Sequence, residues 1–261
     1  FSAEGTIEEK WEIPTRTEQE GVNILPDIAA AILKKMEEKA ITTEETVGVG
    51  IGLPGPIEEN GEIACAVNLH WGRKNVEKEL EELTGMPVKA GNDANVAALG
   101  EMWKGGGKGA KNLILATLGT GVGGGIIINE KIVTGAHGAG GEIGHAMINP
   151  AEEKACNCGN KGCLEQYASA TGIASLARKA LEKTEKESLL RSKSHVTAKD
   201  VFDAYKENDA LAQEIVDEFA EYLAERWLFL PVWQTRMLSF WAAACLKRGR
   251  GAGGLCGEIL S

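Results

Sequence analysis

The stretch NLILATLGTGVGGGIIINEKIV, residues 112–133, decides the fold. Two apolar runs flank a glycine-rich turn, which predicts two strands joined by that turn. A second turn is predicted at Asn129-Glu130. The centre of the chain is therefore expected to be built from hairpins.

The segments on either side of this hairpin differ in kind. Residues 46–56 (TVGVGIGLPGP) predict a buried strand, whereas 75–85 and 93–103 predict helices. The helix at 75–85 is expected to direct Val76, Leu80 and Leu83 inward. From Glu165 onward the pattern is mainly helical. Early alternation followed by late helices predicts an α/β fold with a helical elaboration.

The turn itself carries chemistry. LGTGVGGG (118–125) places five glycines around Thr120. Glycine lets backbone N–H groups converge on an anion, and a threonine hydroxyl adds a donor. The spacing is neither that of a Walker loop nor that of a dinucleotide fingerprint. A phosphate-binding turn and a ligand-free hairpin both fit these residues.

Three of the six cysteines lie within eight residues, in CNCGNKGC (156–163). Three thiols cannot pair among themselves, and a reducing cytosol disfavours disulfides. Ten residues separate His145 from the first of them, and the set has the Cys3His composition of a tetrahedral zinc site. The alternative is that these cysteines are small buried residues and that the histidine is unrelated.

Polar and acidic residues surround these motifs. Asp93 begins a predicted helix, where it is either an N-cap or a general base, and Asn92 beside it is a candidate ligand for a polar substrate. Glu142 and Glu165 lie within a few residues of the proposed metal ligands. Carboxylates accept strongly from sugar hydroxyls, whereas the alternative for each is a solvated surface group.

Bulk composition narrows the classes of partner. The 261 residues carry a formal net charge of −10, which disfavours nucleic acid and anionic membrane as partners. No apolar run approaches the roughly 20 residues needed to span a bilayer. The first residues, FSAEGTIEEKWEIP, resemble neither a signal nor a transit peptide, so a cytoplasmic location is expected.

Three stretches together resemble the ROK family of sugar kinases and repressors, especially its bacterial glucokinases. They are GLPGP with NLHWG downstream, GNDANVAALGEMWKGGGKG followed by LGTGVGGGIIINEKIVTGAHGAGGEIGH, and CNCGNKGCLEQYASATGI. They cover about residues 46–175 in the family's order. The resemblance implies an actin-like ATPase (ribonuclease H-like) α/β fold of two domains with a zinc-binding loop. It also implies ATP- and Mg²⁺-dependent phosphorylation of the 6-hydroxyl of glucose.

The resemblance also assigns roles to single residues. Asp93 corresponds to the catalytic base. The implied sugar ligands are Asn92, Glu142, His145 and Glu165, and the implied ligands of a structural zinc ion are His145, Cys156, Cys158 and Cys163. Gly119, Thr120 and Gly121 correspond to part of the phosphate cradle. Sugar and ATP are thus the implied partners, and a homodimer is the implied assembly of the complete protein.

The two ends of the chain depart from the family pattern. The family's first strand and D-x-G-G-T hairpin have no counterpart, so the N-terminus is expected to be truncated. The tail 226–261 holds three of the six tryptophans and five of the 28 basic residues but one of the 38 acidic residues, and it lacks the family's N-P-x-x-I-V-I-G-G-G segment. A reading-frame shift near residue 226 and a divergent tail are the two explanations. We expect this polypeptide to bind sugar and zinc and to phosphorylate weakly.

The predicted organisation is a small α/β domain (1–92), a larger α/β domain with the zinc loop (93–225) and the anomalous tail. Other sugar kinases of the family, acting on N-acetylmannosamine, N-acetylglucosamine or fructose, remain alternatives. So does a sugar-sensing repressor that has lost its DNA-binding domain. Asp93 favours catalysis, because a pure sensor needs no base.

Overall fold

The computed structural model describes residues 1–136, 138–227 and 239–243. Two compact units form, Phe1–Lys108 with Ile132–Gly140 and Gly109–Lys131 with Gly141–Ser261. We refer to them as the first and the second unit. The domain boundaries 1–92 and 93–225 stay predictions, and most of the tail 226–261 lies outside the described residues.

Helices and strands follow in mixed order along the chain. The helices are α1 (Glu18–Gly21), α2 (Ile24–Lys39), α3 (Val76–Thr84), α4 (Asp93–Lys104), α5 (Glu165–Ala168), α6 (Ala170–Lys183), α7 (Ala198–Lys206) and α8 (Ala210–Trp227). The strands are β1 (Val49–Leu53), β2 (Glu62–Ile63), β3 (Lys74–Asn75), β4 (Val88–Asn92), β5 (Leu113–Leu118), β6 (Val122–Ile128), β7 (Lys131–Ile132) and β8 (Ser239–Ala243). Short 3₁₀ turns occur at Val67–Leu69, Ile143–His145 and Leu189–Ser192. Within the described part of the chain, no helix combines the length and apolar character that crossing a bilayer requires.

The first unit is built on the parallel pair β1–β4. The register runs from Val49 opposite Val88 to Leu53 opposite Asn92. Because α4 begins directly after Asn92, the carboxyl end of β4 delivers the chain straight into the first turn of that helix. The predicted strand and the helix at Asp93 are therefore both present.

Helix α3 confirms its predicted ends but only part of its predicted face. The Asn75 side chain caps the helix by accepting from Lys78 N, at 2.9 Å. Val76 and Leu80 are fully buried as expected, whereas Leu83 is 42% exposed and Thr84 is buried instead. The buried positions are spaced four residues apart, because four residues make just over one helical turn and return the chain to the same face.

The second unit contains the predicted hairpin. Strands β5 and β6 pair antiparallel from Leu113 opposite Ile127 to Leu118 opposite Val122, which leaves residues 119–121 as the turn. The sheet order is β7-β6-β5-β8, and β8 runs parallel to β5. Asn129 and Glu130 take positive φ values of 51° and 64°, as the second predicted turn requires.

Helices α5 to α8 pack on this sheet and bury one continuous apolar core. Its most deeply buried members include Ile114, Ala116, Ala168, Ala177, Val201, Ala212 and Ile215. Aromatic pairs add to it, with Tyr167 stacked on Tyr222 at 4.3 Å between ring centroids. The predicted helical elaboration after Glu165 is thus confirmed, and it provides a rigid support for the loops that precede it.

Candidate active site and metal cluster

His145, Cys156, Cys158 and Cys163 come together in the second unit, with their ligand atoms all within 4.8 Å of one another. Cys158 Sγ lies 3.6 Å from Cys163 Sγ, and Cys156 Sγ lies 3.9 Å from His145 Nδ1. A tetrahedral zinc ion with Zn–S bonds of about 2.3 Å has S···S edges of about 3.8 Å. The donor set and its spacing therefore fit one zinc ion.

Backbone bonds shape the loop that carries the three cysteines. Isolated β-bridges join Met147 to Cys163 and Ala155 to Lys161. Gly162 takes a φ of +70°, and a Cβ atom there would lie 1.9 Å from the carbonyl oxygen of Asn149. Gly159 has a φ of +88°. Glycine is required at residue 162 both for its φ and for space, which accounts for its place beside Cys163.

Two of the thiols are removed from solvent. Cys156 is 7% exposed and Cys163 is fully buried. Burial raises the pKa of the Cys163 thiol to about 12 and also raises the pKa of Cys156. The thiolate is the form that binds a metal. A bound cation would stabilise the thiolates and so favour the loss of the thiol protons.

Glu165 lies between the cysteine cluster and the glycine-rich turn. One carboxylate oxygen, Oε2, accepts from Val122 N at 3.0 Å, and the Cys156 thiol donates to Oε1 at 3.7 Å. A Cβ atom on Gly121 would lie 2.1 Å from Oε2, so the turn approaches this carboxylate as closely as only glycine permits. The contact with Val122 was not predicted from the sequence, since 43 residues separate the two positions.

Glu142 and His145 flank the 3₁₀ turn before the cysteine loop. His145 Nε2 lies 3.9 Å from Glu142 Oε2, while its Nδ1 lies on the Cys156 side. Both side chains are about one-third exposed. The imidazole thus has one nitrogen toward the thiols and the other toward a half-exposed carboxylate.

The turn between β5 and β6 has free donors. Gly119 N donates to Gly121 O at 3.0 Å. The N–H groups of Thr120 and Gly121 have no hydrogen-bond partner among the residues that the structure describes. Thr120 is exposed. Unpaired, accessible backbone amides of this kind are the donors that a phosphate oxygen requires.

Asn92 and Asp93 lie in the first unit, at the start of α4. Asn92 is the N-cap, since its Oδ1 accepts from Ala94 N at 3.0 Å and from Asn95 N at 3.1 Å. Its Nδ2 donates to Gly55 O at 3.2 Å. Asp93 is the first helical residue, and within the described part of the chain its exposed side chain accepts from Ala94 N alone, at 2.8 Å. The cap that the sequence offered as an alternative role for Asp93 is therefore supplied by Asn92.

A network that sequence reasoning missed supports the cysteine loop. The buried Tyr167 hydroxyl donates to Glu152 Oε2 at 2.7 Å and accepts from Asn149 Nδ2 at 2.9 Å. Gln166 adds two bonds to the loop, accepting from Cys163 N at 3.1 Å and donating to Lys154 O at 2.9 Å. A Glu-Gln-Tyr run after a cysteine gives no local signal of these contacts, because the partners lie up to 18 residues away.

Comparisons with known proteins identify the family. The family model described as "ROK family" matches residues 1–229. A glucokinase of Halalkalibacterium halodurans is 48% identical over 223 residues, which cover 84% of this chain and 68% of that protein. A glucokinase of Thermotoga maritima is 37% identical, with 85% of this chain and 70% of that protein covered.

Solved structures give the same result for the fold. A ROK family glucokinase from Streptomyces griseus, crystallised with glucose and AMPPNP, matches with a TM-score of 0.72 at 31% identity, covering 93% of this chain and 77% of that chain. A ROK hexokinase from Thermus thermophilus matches with a TM-score of 0.71 at 28% identity, covering 89% and 72%. These matches confirm the predicted actin-like ATPase fold.

Proposed function

The chain belongs to the ROK family, and on this premise we propose that it is an ATP-dependent kinase that phosphorylates the 6-hydroxyl of glucose. One observation supports this most strongly. Within the second unit, Glu165 contacts both the Cys3His cluster and the turn whose amides have no partner among the described residues. Glu142 lies beside the same cluster, at His145. The glucokinase relatives supply the sugar class and the phosphate donor.

Asp93 is the proposed general base. In the transfer, the 6-oxygen of the sugar forms a bond to the γ-phosphorus of ATP while the bond from that phosphorus to the bridging oxygen of ADP breaks. The hydroxyl proton passes to a carboxylate oxygen of Asp93. An exposed carboxylate with a single local hydrogen bond suits this role, because it is fixed at a helix start and still has lone pairs to accept a proton. Phosphoryl transfer otherwise depends on positioning and charge stabilisation.

Sugar binding is assigned to Glu142, His145, Glu165 and Asn92. Glu142 and His145 form one partly exposed pair, in which the carboxylate accepts from hydroxyl groups and the Nε2–H, with Nδ1 assigned to the metal, donates to them. Glu165 keeps acceptor capacity on Oε1 beyond its bond to Val122, and Asn92 keeps one amide hydrogen after its bond to Gly55. Asn92 and Glu165 are thus oriented by bonds within the protein, and each retains a group for the sugar.

Gly119, Thr120 and Gly121 are proposed to bind phosphate oxygens of ATP through the free amides of the turn. Mg²⁺, when bound with the nucleotide, supplies charge neutralisation between the phosphates. The chain contributes the fixed donors, which need no reorganisation when the nucleotide arrives.

The metal cluster is proposed to hold a structural zinc ion. All four positions would be taken by His145, Cys156, Cys158 and Cys163, so the ion supplies rigidity and not Lewis-acid chemistry. The expected zinc content is one per chain by plasma emission spectrometry, and Cys163→Ser should lower it to near zero. Cys65→Ser is the matched control, because Cys65 is an exposed free thiol outside the cluster. Equal zinc content in both variants would contradict the site.

A homodimer in the cytoplasm, without nucleic acid or membrane partners, completes the proposal. The net charge of −10 and the family resemblance support it. Sedimentation of the purified chain tests the dimer, and a single species at the mass of one chain, 27.8 kDa, would contradict it.

The decisive test of the function is phosphorylation assayed across sugars. Glucose, N-acetylglucosamine, N-acetylmannosamine and fructose are compared at equal concentration with ATP, alongside calorimetric titration of each sugar and of ATP. Glucose should give the highest kcat/KM. Sugar binding without any turnover would favour the alternative of a sugar-sensing repressor, and two of the relatives are named xylose repressors.

A further inference from the structure

The N-terminus of α6 is bonded to the glycine-rich turn. Ala170 N donates to Gly119 O at 2.8 Å, and Thr171 Oγ1 donates to Thr120 O at 3.1 Å. Together with the bond from Val122 N to Glu165, these contacts tie three consecutive parts of the turn to residues 165–171. The turn therefore does not rest on the pairing of β5 with β6 alone.

Planarity of the peptide bond gives these contacts a consequence. In a trans peptide unit the C=O and the N–H point in opposite directions. The Thr120 carbonyl shares its unit with the N–H of Gly121, and the Gly119 carbonyl shares its unit with the N–H of Thr120. Holding the two carbonyls on the α6 side therefore directs both amides to the opposite side. These are the two amides of the turn without a partner among the described residues.

Without such a hold, the turn would be free to reorient. Glycine on each side of Thr120 permits many backbone conformations, so a peptide unit there can flip and reverse its amide. The Gly119 carbonyl is held by a main-chain amide that every residue at position 170 except proline would offer. Of the two carbonyl bonds, the one to Thr120 O depends on a side chain, the hydroxyl of Thr171.

The Thr171 hydroxyl is itself held in place. It lies 2.9 Å from Ser169 Oγ, and Ser169 is fully buried and caps α6 by accepting from Gly172 N at 3.0 Å. Because the Thr171 proton goes to the Thr120 carbonyl, the Ser169 hydroxyl donates to Thr171 Oγ1, while the cap bond from Gly172 N to Ser169 Oγ does not involve Thr171. The Thr171 hydroxyl is thus oriented by Ser169 and donates its proton to the Thr120 carbonyl of the turn.

We propose that Thr171 is a positioning residue for nucleotide binding, which fixes the Thr120–Gly121 peptide so that its amide is ready for a phosphate oxygen. The inference rests on the proposed phosphate-binding role of the turn. It goes beyond that role by assigning the orientation of the amides to a residue that touches no substrate. Thr171→Val removes the hydroxyl at constant shape, and Thr171→Ser is the conservative rescue.

The experiment titrates the zinc-loaded chain with fluorescent mant-ADP and, separately, with glucose. Thr171→Val should weaken mant-ADP binding about fivefold, the effect of one hydrogen bond, and leave the glucose affinity within a factor of about 1.5. Thr171→Ser should restore nucleotide binding. The Gly121 amide resonance in a ¹⁵N–¹H spectrum should move in the valine variant and return in the serine variant.

Three results would overturn the proposal. These are unchanged mant-ADP affinity in Thr171→Val, equal losses for nucleotide and glucose with loss of zinc, or an unmoved Gly121 resonance. If the unsubstituted chain itself binds no mant-ADP, the proposed role of the turn fails on separate grounds. The Gly121 resonance then decides alone whether Thr171 positions the peptide.

Discussion

The starts of α4 and α5 place the same chemical group, a side-chain carboxylate, on the first residue of a helix, and they use it differently. Among the residues that the structure describes, Asp93 accepts from the next amide along the chain alone, because Asn92 caps the helix. Glu165 is partly engaged: Oε2 accepts from Val122 N, whereas Oε1 has the long 3.7 Å contact from the Cys156 thiol, which a metal-bound thiolate would not donate. A carboxylate at a helix start is available for proton transfer where a neighbour has taken over the capping.

The residue before α8 extends the comparison. Asp209 is 9% exposed, and it accepts from Ala212 N at 2.9 Å and from Leu189 N at 2.7 Å. It ties the start of α8 to the preceding 3₁₀ turn. The three carboxylates thus differ in how far the fold uses them. Asp93 has one local bond within the described part of the chain, Glu165 is partly engaged, and Asp209 is wholly structural.

The largest effect is expected where the carboxylate is free. Asp93→Asn keeps the size and polarity of the side chain but removes the base, so kcat should fall about 10³-fold relative to the unsubstituted chain. Glucose affinity by calorimetry should change less than about threefold, and the melting temperature should stay within about 2 °C, because Asn92 retains the cap.

Asp27→Asn is the matched control for this prediction. Asp27 lies in the first turn of α2, where it forms an ion pair with Arg16 on the surface. Its substitution should leave kcat unchanged. A kcat for Asp93→Asn within tenfold of the unsubstituted chain would show that Asp93 is no more than another surface carboxylate.

The position of Asp93 was easier to predict from the sequence than the contacts of Glu165. The place of Asp93 at a helix start could be predicted because its neighbours along the chain, a strand and an amphipathic helix, have periodic signatures. The bonds of Glu165 to Val122 and of Tyr167 to Glu152 could not, since they join residues that only the tertiary fold brings together. The Cys3His set was predictable because a metal site demands specific residue types at short spacing.

Glu165→Gln should separate the two roles of the partly engaged carboxylate. Glutamine keeps an oxygen to accept from Val122 N but loses the charge and the second acceptor that a sugar hydroxyl would use. We expect KM for glucose to rise about tenfold, consistent with one charge-assisted hydrogen bond, and KM for ATP to change less than about twofold.

Glu165→Ala completes the test, because it also removes the acceptor for Val122 N. Its KM for ATP should rise together with that for glucose, while zinc content stays at one per chain. An unchanged KM for glucose in Glu165→Gln would show that Glu165 has a structural role alone, like Asp209.

The smallest effect is expected at the structural end, in the pH dependence of stability. Burial opposes ionisation of Asp209, but the amides of Ala212 and Leu189 outweigh it and hold the pKa of this carboxyl below its usual value. A lowered pKa in the folded state stabilises the fold above the unfolded pKa of about 4, and this contribution disappears as the pH falls through the folded-state pKa. Asp209→Asn should therefore lower the free energy of urea unfolding by about 1 kcal/mol at pH 7 and by much less near pH 2.5. An equal loss at both pH values would mean that shape and not charge holds the start of α8, and the ordering of the three carboxylates by engagement would then lose its electrostatic basis.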